Sequence, residues 1–189
     1  LRKKPLIIQG DMNGSHWLAA IPTQFKYAVA NKESHPILVG LRYTLSDDGK
    51  AVANSQLMRR ALEYAKMVGV LLIQHCQDPN ISCHGVMNEG FNSTLLGLKG
   101  DPGISESIIV ARDIELVNYL KTKIHFAHMS LKRSMELIRF AKGQGIQVSA
   151  EACPHHFTLS DCAVKSYDTN TKVNPPLRTK EDIEAIKGA

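Results

Sequence analysis

Long apolar runs are missing from this sequence. No stretch approaches the ~18 residues a membrane-spanning helix needs. The opening Leu1-Arg2-Lys3-Lys4-Pro5 has neither the apolar core nor the cleavage site of a secretory leader. Cysteine is sparse: four residues, at 76, 83, 153 and 162, with no Cys-x-x-Cys pair. Without a secretion signal, reduced thiols in a cytoplasmic setting are the expectation, with Cys76 and Cys153 as small core residues at strand ends. There is no Gly-x-Gly-x-x-Gly and no Gly-Lys-Ser/Thr, so a nucleotide-binding doubly wound sheet has no support. Aromatic residues make up 6%, and the basic residues behind the net charge of +5 are scattered, as in Arg59-Arg60 and Lys132-Arg133. No aromatic and basic stripe forms, so neither nucleic acid nor membrane is an expected partner.

What is present is ordinary globular composition, 43% hydrophobic and 22% charged over 189 residues, enough for one domain with a real core. Residues 1–36 are the least readable; Leu6-Ile7-Ile8 suits a short strand and Asp11 to Ser15 a turn. Beyond them, apolar runs at Ile37–Leu41, Val70–Ile73, Ile124–Ala127 and Ile146–Ala150 read as strands. Helical spacing marks 56–68, with Ser55 as cap and Gly69 as stop. It also marks Ser105 to Leu120, with Ile108, Ile109, Ala111, Ile114, Leu116 and Val117 mostly on one side. A third helix runs from Ser134 to Lys142 before Gly143-Gln144-Gly145, and a fourth begins near Thr179. A long polar loop is expected from His75 to Gly103. Alternating strands and helices with short links imply a parallel sheet. Strands apolar nearly throughout, such as Val70–Ile73, imply burial on both faces. A closed (β/α)8 barrel takes eight such units and ~250 residues. The four clear strands here predict an α/β chain holding roughly half a barrel. The Leu start and the helix-like pattern at Ile186 to Ala189 suggest a piece of a longer protein.

Three of the strands lead into ligand-grade side chains: Asp47-Asp48, His75 and His128. In parallel barrels the strand ends carry the chemistry. One strand-end histidine is more often a packed core residue than a ligand; two independent ones point to a shared site. Asp48 adds a hard oxygen, and imidazole with carboxylate suits zinc. Taken alone, Asp-Asp-Gly is just a turn. His125 precedes His128 by three residues, so the two face opposite sides of a strand and do not share an ion. His155-His156 follow Pro154 at another strand end, as packing or supporting groups. In Asn174-Pro175-Pro176-Leu177-Arg178 the prolines stiffen the backbone and aim the Asn174 amide, a donor and acceptor suited to an imide edge.

In order, Ser46-Asp47-Asp48-Gly49, His75-Cys76-Gln77-Asp78, Gly85-Val86-Met87-Asn88-Glu89-Gly90, Ala127-His128-Met129-Ser130, Pro154-His155-His156 and Tyr167-Asp168-Thr169-Asn170 with Lys172 to Arg178 resemble dihydroorotase. The likeness is to the bacterial type related to the dihydroorotase domain of multifunctional pyrimidine enzymes, in the amidohydrolase superfamily of metal-dependent (β/α)8 barrels. It covers about residue 45 to the end. The resemblance implies zinc, one or two ions, held by Asp48, His75 and His128, whose separations of 27 and 53 residues match the family. It implies that Asn174 contacts the substrate ring. It depicts 1–189 as one unit, the central part of the barrel, with 1–36 poorly assigned.

The departures are specific. The first-strand His-x-His and the late catalytic Asp of the family have no counterpart here, so the acid–base residue is expected beyond residue 189. Gln77 stands where the family usually has Glu. The implied reaction is reversible cyclisation of N-carbamoyl-L-aspartate to L-dihydroorotate in pyrimidine synthesis, by a cytoplasmic homo-oligomer that could partner aspartate carbamoyltransferase. Three alternatives remain: a sibling cyclic-amide hydrolase such as dihydropyrimidinase or allantoinase, a non-catalytic subunit scaffolding aspartate carbamoyltransferase, and a plain parallel α/β binding domain.

Overall fold

In the computed structural model the described residues are 7–9, 44–46 and 51–189, the first two spans as backbone. The expected strand at 37–41, the Asp11–Ser15 turn and Asp48 lie outside them. Five parallel strands form the main sheet: β1 (Ile7–Gln9), β2 (Thr44–Ser46), β3 (Leu71–His75), β6 (Lys123–Ala127) and β7 (Gln147–Ala150), in the order β1-β2-β3-β6-β7. The register sets Ser46 beside Ile73, Ile73 beside His125, and His75 beside Ala127. Asp48 follows Ser46 by two residues, as His75 follows Ile73.

Helices α1 (Ser55–Val68), α4 (Ile104–Leu120) and α5 (Lys132–Gly143) cross between consecutive strands. Met58, Ala61, Leu62 and Ala65 of α1, Ile109, Val110, Ile114 and Val117 of α4, and Met135, Ile138 and Ala141 of α5 bury against Leu72, Ile124 and Phe126. Helix α1 starts at Ser55, one residue earlier than expected. Asn54, not Ser55, takes the cap position, its Oδ1 accepting from Leu57 N at 3.0 Å. Gly69 ends the helix at φ 71°, its N–H reaching the carbonyls of Ala65 and Lys66.

Two further expectations need correction. Ile108 on α4 is exposed, and Ser105, Glu106 and Asp113 are buried instead. Hydropathy places polar residues outside, and here the interior supplies them with partners. On β3, Leu72 is buried whereas Leu71 and Ile73 are half-buried, so only the helix-covered face is fully sealed.

The stretch from His75 to Gly103 is not one loop. It holds α2 (Pro79–Ser82), β4 (Met87–Asn88), α3 (Phe91–Leu96) and β5 (Gly100–Asp101), with β4 and β5 paired in parallel. Glycine permits this packing: a Cβ on Gly85 would meet Asp101 N and Gly100 O at 2.4 Å. After β7 come α6 (Pro154–Thr158), two 3-10 turns (Asp161–Ser166 and Thr169–Thr171) and α7 (Lys180–Lys187). Helix α7 opens with a Thr179–Asp182 capping box, and Asp182 also accepts from Lys132 N at 2.9 Å, joining α7 to α5.

Candidate active site at the strand ends

β3 ends in His75, which is 2% exposed. β6 ends at Ala127, and the next residue, His128, adopts left-handed backbone at φ 42°. That turn takes His128 out of strand alternation and brings its ring edge-on to His75, with centroids 4.8 Å apart. His75 Nδ1 and His128 Nε2 are 3.1 Å apart. His125 stays in the strand and points elsewhere, its Nδ1 2.8 Å from Ser149 Oγ and its Nε2 3.5 Å from Glu151. As expected, the two histidines of the His-x-x-His do not face one another.

The opposite edge of His75 settles its tautomer. Nε2 lies 3.2 Å from Gln77 Oε1, which can only accept, so Nε2 carries the proton and Nδ1 presents its lone pair to His128. Asn174 Nδ2 is 3.4 Å from the same Nε2 but donates to Gln77 Oε1 at 3.1 Å. The Gln77 amide donates in turn to Asn174 Oδ1 at 3.0 Å and Asp101 Oδ2 at 2.7 Å. Asp101 Oδ1 accepts from Ser105 Oγ at 2.6 Å. The chain from ring to carboxylate is thus fully satisfied.

Beneath it, Arg178 is 2% exposed. It donates to Asn88 Oδ1 at 3.0 Å, to the Asp101 carbonyl at 2.7 Å and to Ser130 Oγ at 3.2 Å. Ser130 donates through N–H and hydroxyl to the buried Glu106 carboxylate. The guanidinium is paired with the Asp101 carboxylate, 4.0 Å from Nη2, and reaches the Glu106 carboxylate through Ser130, which is how a buried charge is offset. This network anchors the Pro175-Pro176-Leu177-Arg178 run and so holds Asn174 beside His75.

His156 on α6 is also buried. Its Nε2 donates to the Pro175 carbonyl at 2.9 Å, and desolvation above all pulls its pKa down to about 4.

The histidine pair fits a cation. Two ligands on one zinc, each at ~2.0–2.1 Å, lie roughly 3.0–3.4 Å apart, and the observed separation falls within that span. An imidazole whose outer N–H is fixed by an amide oxygen is the usual support of a metal-bound histidine. A second potential ligand group is Cys153, His155 and His156, whose ligand atoms lie within 4.8 Å of one another.

Of the four sequence-selected residues, His75, His128 and Asn174 come together; Asp48 is outside the described residues. Sequence reasoning missed Asp101, Glu106 and Ser130. Asp101 falls in the stretch expected to be a polar loop, and Glu106 is not among the apolar positions that mark the helix from Ser105 to Leu120. Only the density of motif residues around them hinted otherwise.

No protein-family model matches the chain. Solved structures do. A D-hydantoinase superposes with TM-score 0.69 at 17% identity, over 97% of this chain and 46% of that one. The D-hydantoinase of Bacillus sp. AR9 gives 0.73 at 16%, over 98% and 40%. Identity this low carries the fold alone: this α/β chain has the fold of part of the TIM barrel of those structures.

The sequence narrows the class. A dihydroorotase of Pelotomaculum thermopropionicum is 55% identical over 142 residues, and one of Ruminiclostridium cellulolyticum is 51% identical over 142 residues, each match covering 75% of this chain and 33% of the relative. A dihydroorotase of Trichlorobacter lovleyi is 53% identical over 143 residues. By sequence the chain is a relative of these dihydroorotases over 75% of its length, and it spans about one third of the length of the curated relatives it matches. No helix among the described residues is long and apolar enough to cross a membrane.

Proposed function

We propose that the protein containing this chain is a zinc-dependent cyclic-amide hydrolase that interconverts N-carbamoyl-L-aspartate and L-dihydroorotate, and that residues 1–189 form the central part of its barrel. The observation that carries this reading is the approach of His75 Nδ1 and His128 Nε2 to 3.1 Å at neighbouring strand ends, with Asn174 linked to His75 through Gln77. Asp48, His75 and His128 would hold zinc, one or two ions. The chemistry that a bound ion supplies is a water acidified toward ~7 and a polarised ring carbonyl.

The chain's own groups do the positioning. The Gln77 carbonyl holds the His75 Nε2 proton in place, which leaves Nδ1 as the ligand atom. Asn174, exposed at the end of an anchored segment, offers one donor and one acceptor to the imide edge of the substrate. Moving the proton onto the departing ring nitrogen needs a carboxylate, which we place beyond residue 189. A cytoplasmic setting and a homo-oligomer, with aspartate carbamoyltransferase as a possible companion, complete the proposal.

The test uses the full-length protein, assayed on dihydroorotate, dihydrouracil and allantoin with and without chelator. Chelator-sensitive hydrolysis of dihydroorotate alone is the expected result. Preference for dihydrouracil or allantoin would reassign it to a sibling hydrolase. No hydrolysis, with tight binding to aspartate carbamoyltransferase, would make it a scaffold.

A further inference from the structure

A second cluster of potential ligands lies at the start of α6. Cys153 occupies the cap position of this helix, and His155 and His156 follow in its first turn. Ligand atoms of all three lie within 4.8 Å of one another, and the two imidazoles touch edge to face, with centroids 4.2 Å apart. His156 is the informative member. Its Nε2 faces the Pro175 carbonyl at 2.9 Å, and a carbonyl can only accept, so the ring proton sits on Nε2. Its Nδ1 then carries a lone pair, and that atom is buried with no hydrogen-bond partner. A buried lone pair without a donor is costly. A ring tethered through one N–H to a backbone carbonyl, with the other nitrogen bare, is the arrangement found in metal-bound histidines.

We propose that Cys153, His155 and His156 form a second metal site, selective for a thiophilic divalent cation such as zinc, in which the Cys153 thiolate, a ring nitrogen of His155 and Nδ1 of His156 are the protein ligands. Ligands on one zinc lie roughly 3.0–3.6 Å apart, so the cluster contracts slightly on binding; His155 and Cys153 are only half-buried and have room to turn. Binding breaks the S–H bond and releases its proton to solvent as the sulfur–metal bond forms. Pro175 links this site to Asn174, so occupancy here would stiffen the substrate-facing loop.

The inference does not rest on the proposed reaction, and sulfur makes the two sites separable. Full-length protein stripped of zinc is titrated with cobalt(II), and the near-ultraviolet thiolate-to-cobalt charge-transfer band is recorded. The band is expected in the wild type, unchanged in His75→Ala, absent in Cys153→Ser and at least tenfold weaker in cobalt affinity in His155→Ala, with circular dichroism checking each fold. A wild-type protein lacking the band at saturating cobalt would overturn the site. So would a band that survives in Cys153→Ser, or one that vanishes in His75→Ala.

Discussion

His128 holds a backbone conformation that a side chain disfavours. At φ 42° a non-glycine residue costs on the order of 1 kcal/mol, and such positions gather at functional sites. The expected consequence is an inverted glycine preference. In full-length protein, His128→Gly should be about 1 kcal/mol more stable to urea than His128→Ala, although both lose the ligand; equal midpoints would mean that no strain is stored there. Gln77 gives a second prediction. Its amide donates to Asp101 Oδ2 at 2.7 Å, and Asp101 is buried. Gln77→Glu sets two carboxylates against each other. It should cost roughly 2 kcal/mol, because the donor to a buried carboxylate is lost; a urea midpoint no lower than that of the wild type would contradict this. That His75, His128 and Asn174 lie near one another was legible in the sequence, from the ends of two apolar runs and from the prolines that stiffen the segment after Asn174. Asp101 and Glu106 were not, because a buried acid is recognisable only by the partners the fold brings to it.

Helix α4 concentrates what hydropathy alone conceals. It buries Glu106 against Ser130 at one end and Asp113 in its middle. Asp113 Oδ1 pairs with Arg112, whose guanidinium also reaches the carbonyls of Val52 and Ala53, while Oδ2 has no partner. Desolvation, only partly countered by Arg112, raises the Asp113 pKa from 3.8 to about 6. The fold therefore favours the protonated acid. That contribution to stability is fully present below pH 3.8 and lost as pH rises through about 6. Between pH 4 and 7.5 the wild type should lose on the order of 2 kcal/mol relative to Asp113→Asn; parallel urea midpoints across that range would refute the assignment. Strand and helix identities came from period and stop signals, which Gly69 and the Gly143 to Gly145 segment bear out. The β4–β5 pair did not, because two-residue strands are too short to carry a period, and their pairing depends on close approach at Gly85.

At the scale of the molecule, five parallel strands with helices on one face make a barrel segment. Its strand ends bring together residues from β3, from the turn after β6 and from the loop before α7. The half-barrel reading came from counting strands, and the solved hydantoinases carry the same fold. The 189 residues alone, without the proposed late carboxylate, are expected to turn over no dihydroorotate.

The most direct measurement is anomalous diffraction at the zinc edge from crystals of the full-length protein. The predicted result is a peak within bonding distance of His75 Nδ1, His128 Nε2 and the Asp48 carboxylate, gone in His75→Ala. A zinc-loaded crystal with no density between the two rings, or an Asp48 carboxylate turned away from them, would contradict the account.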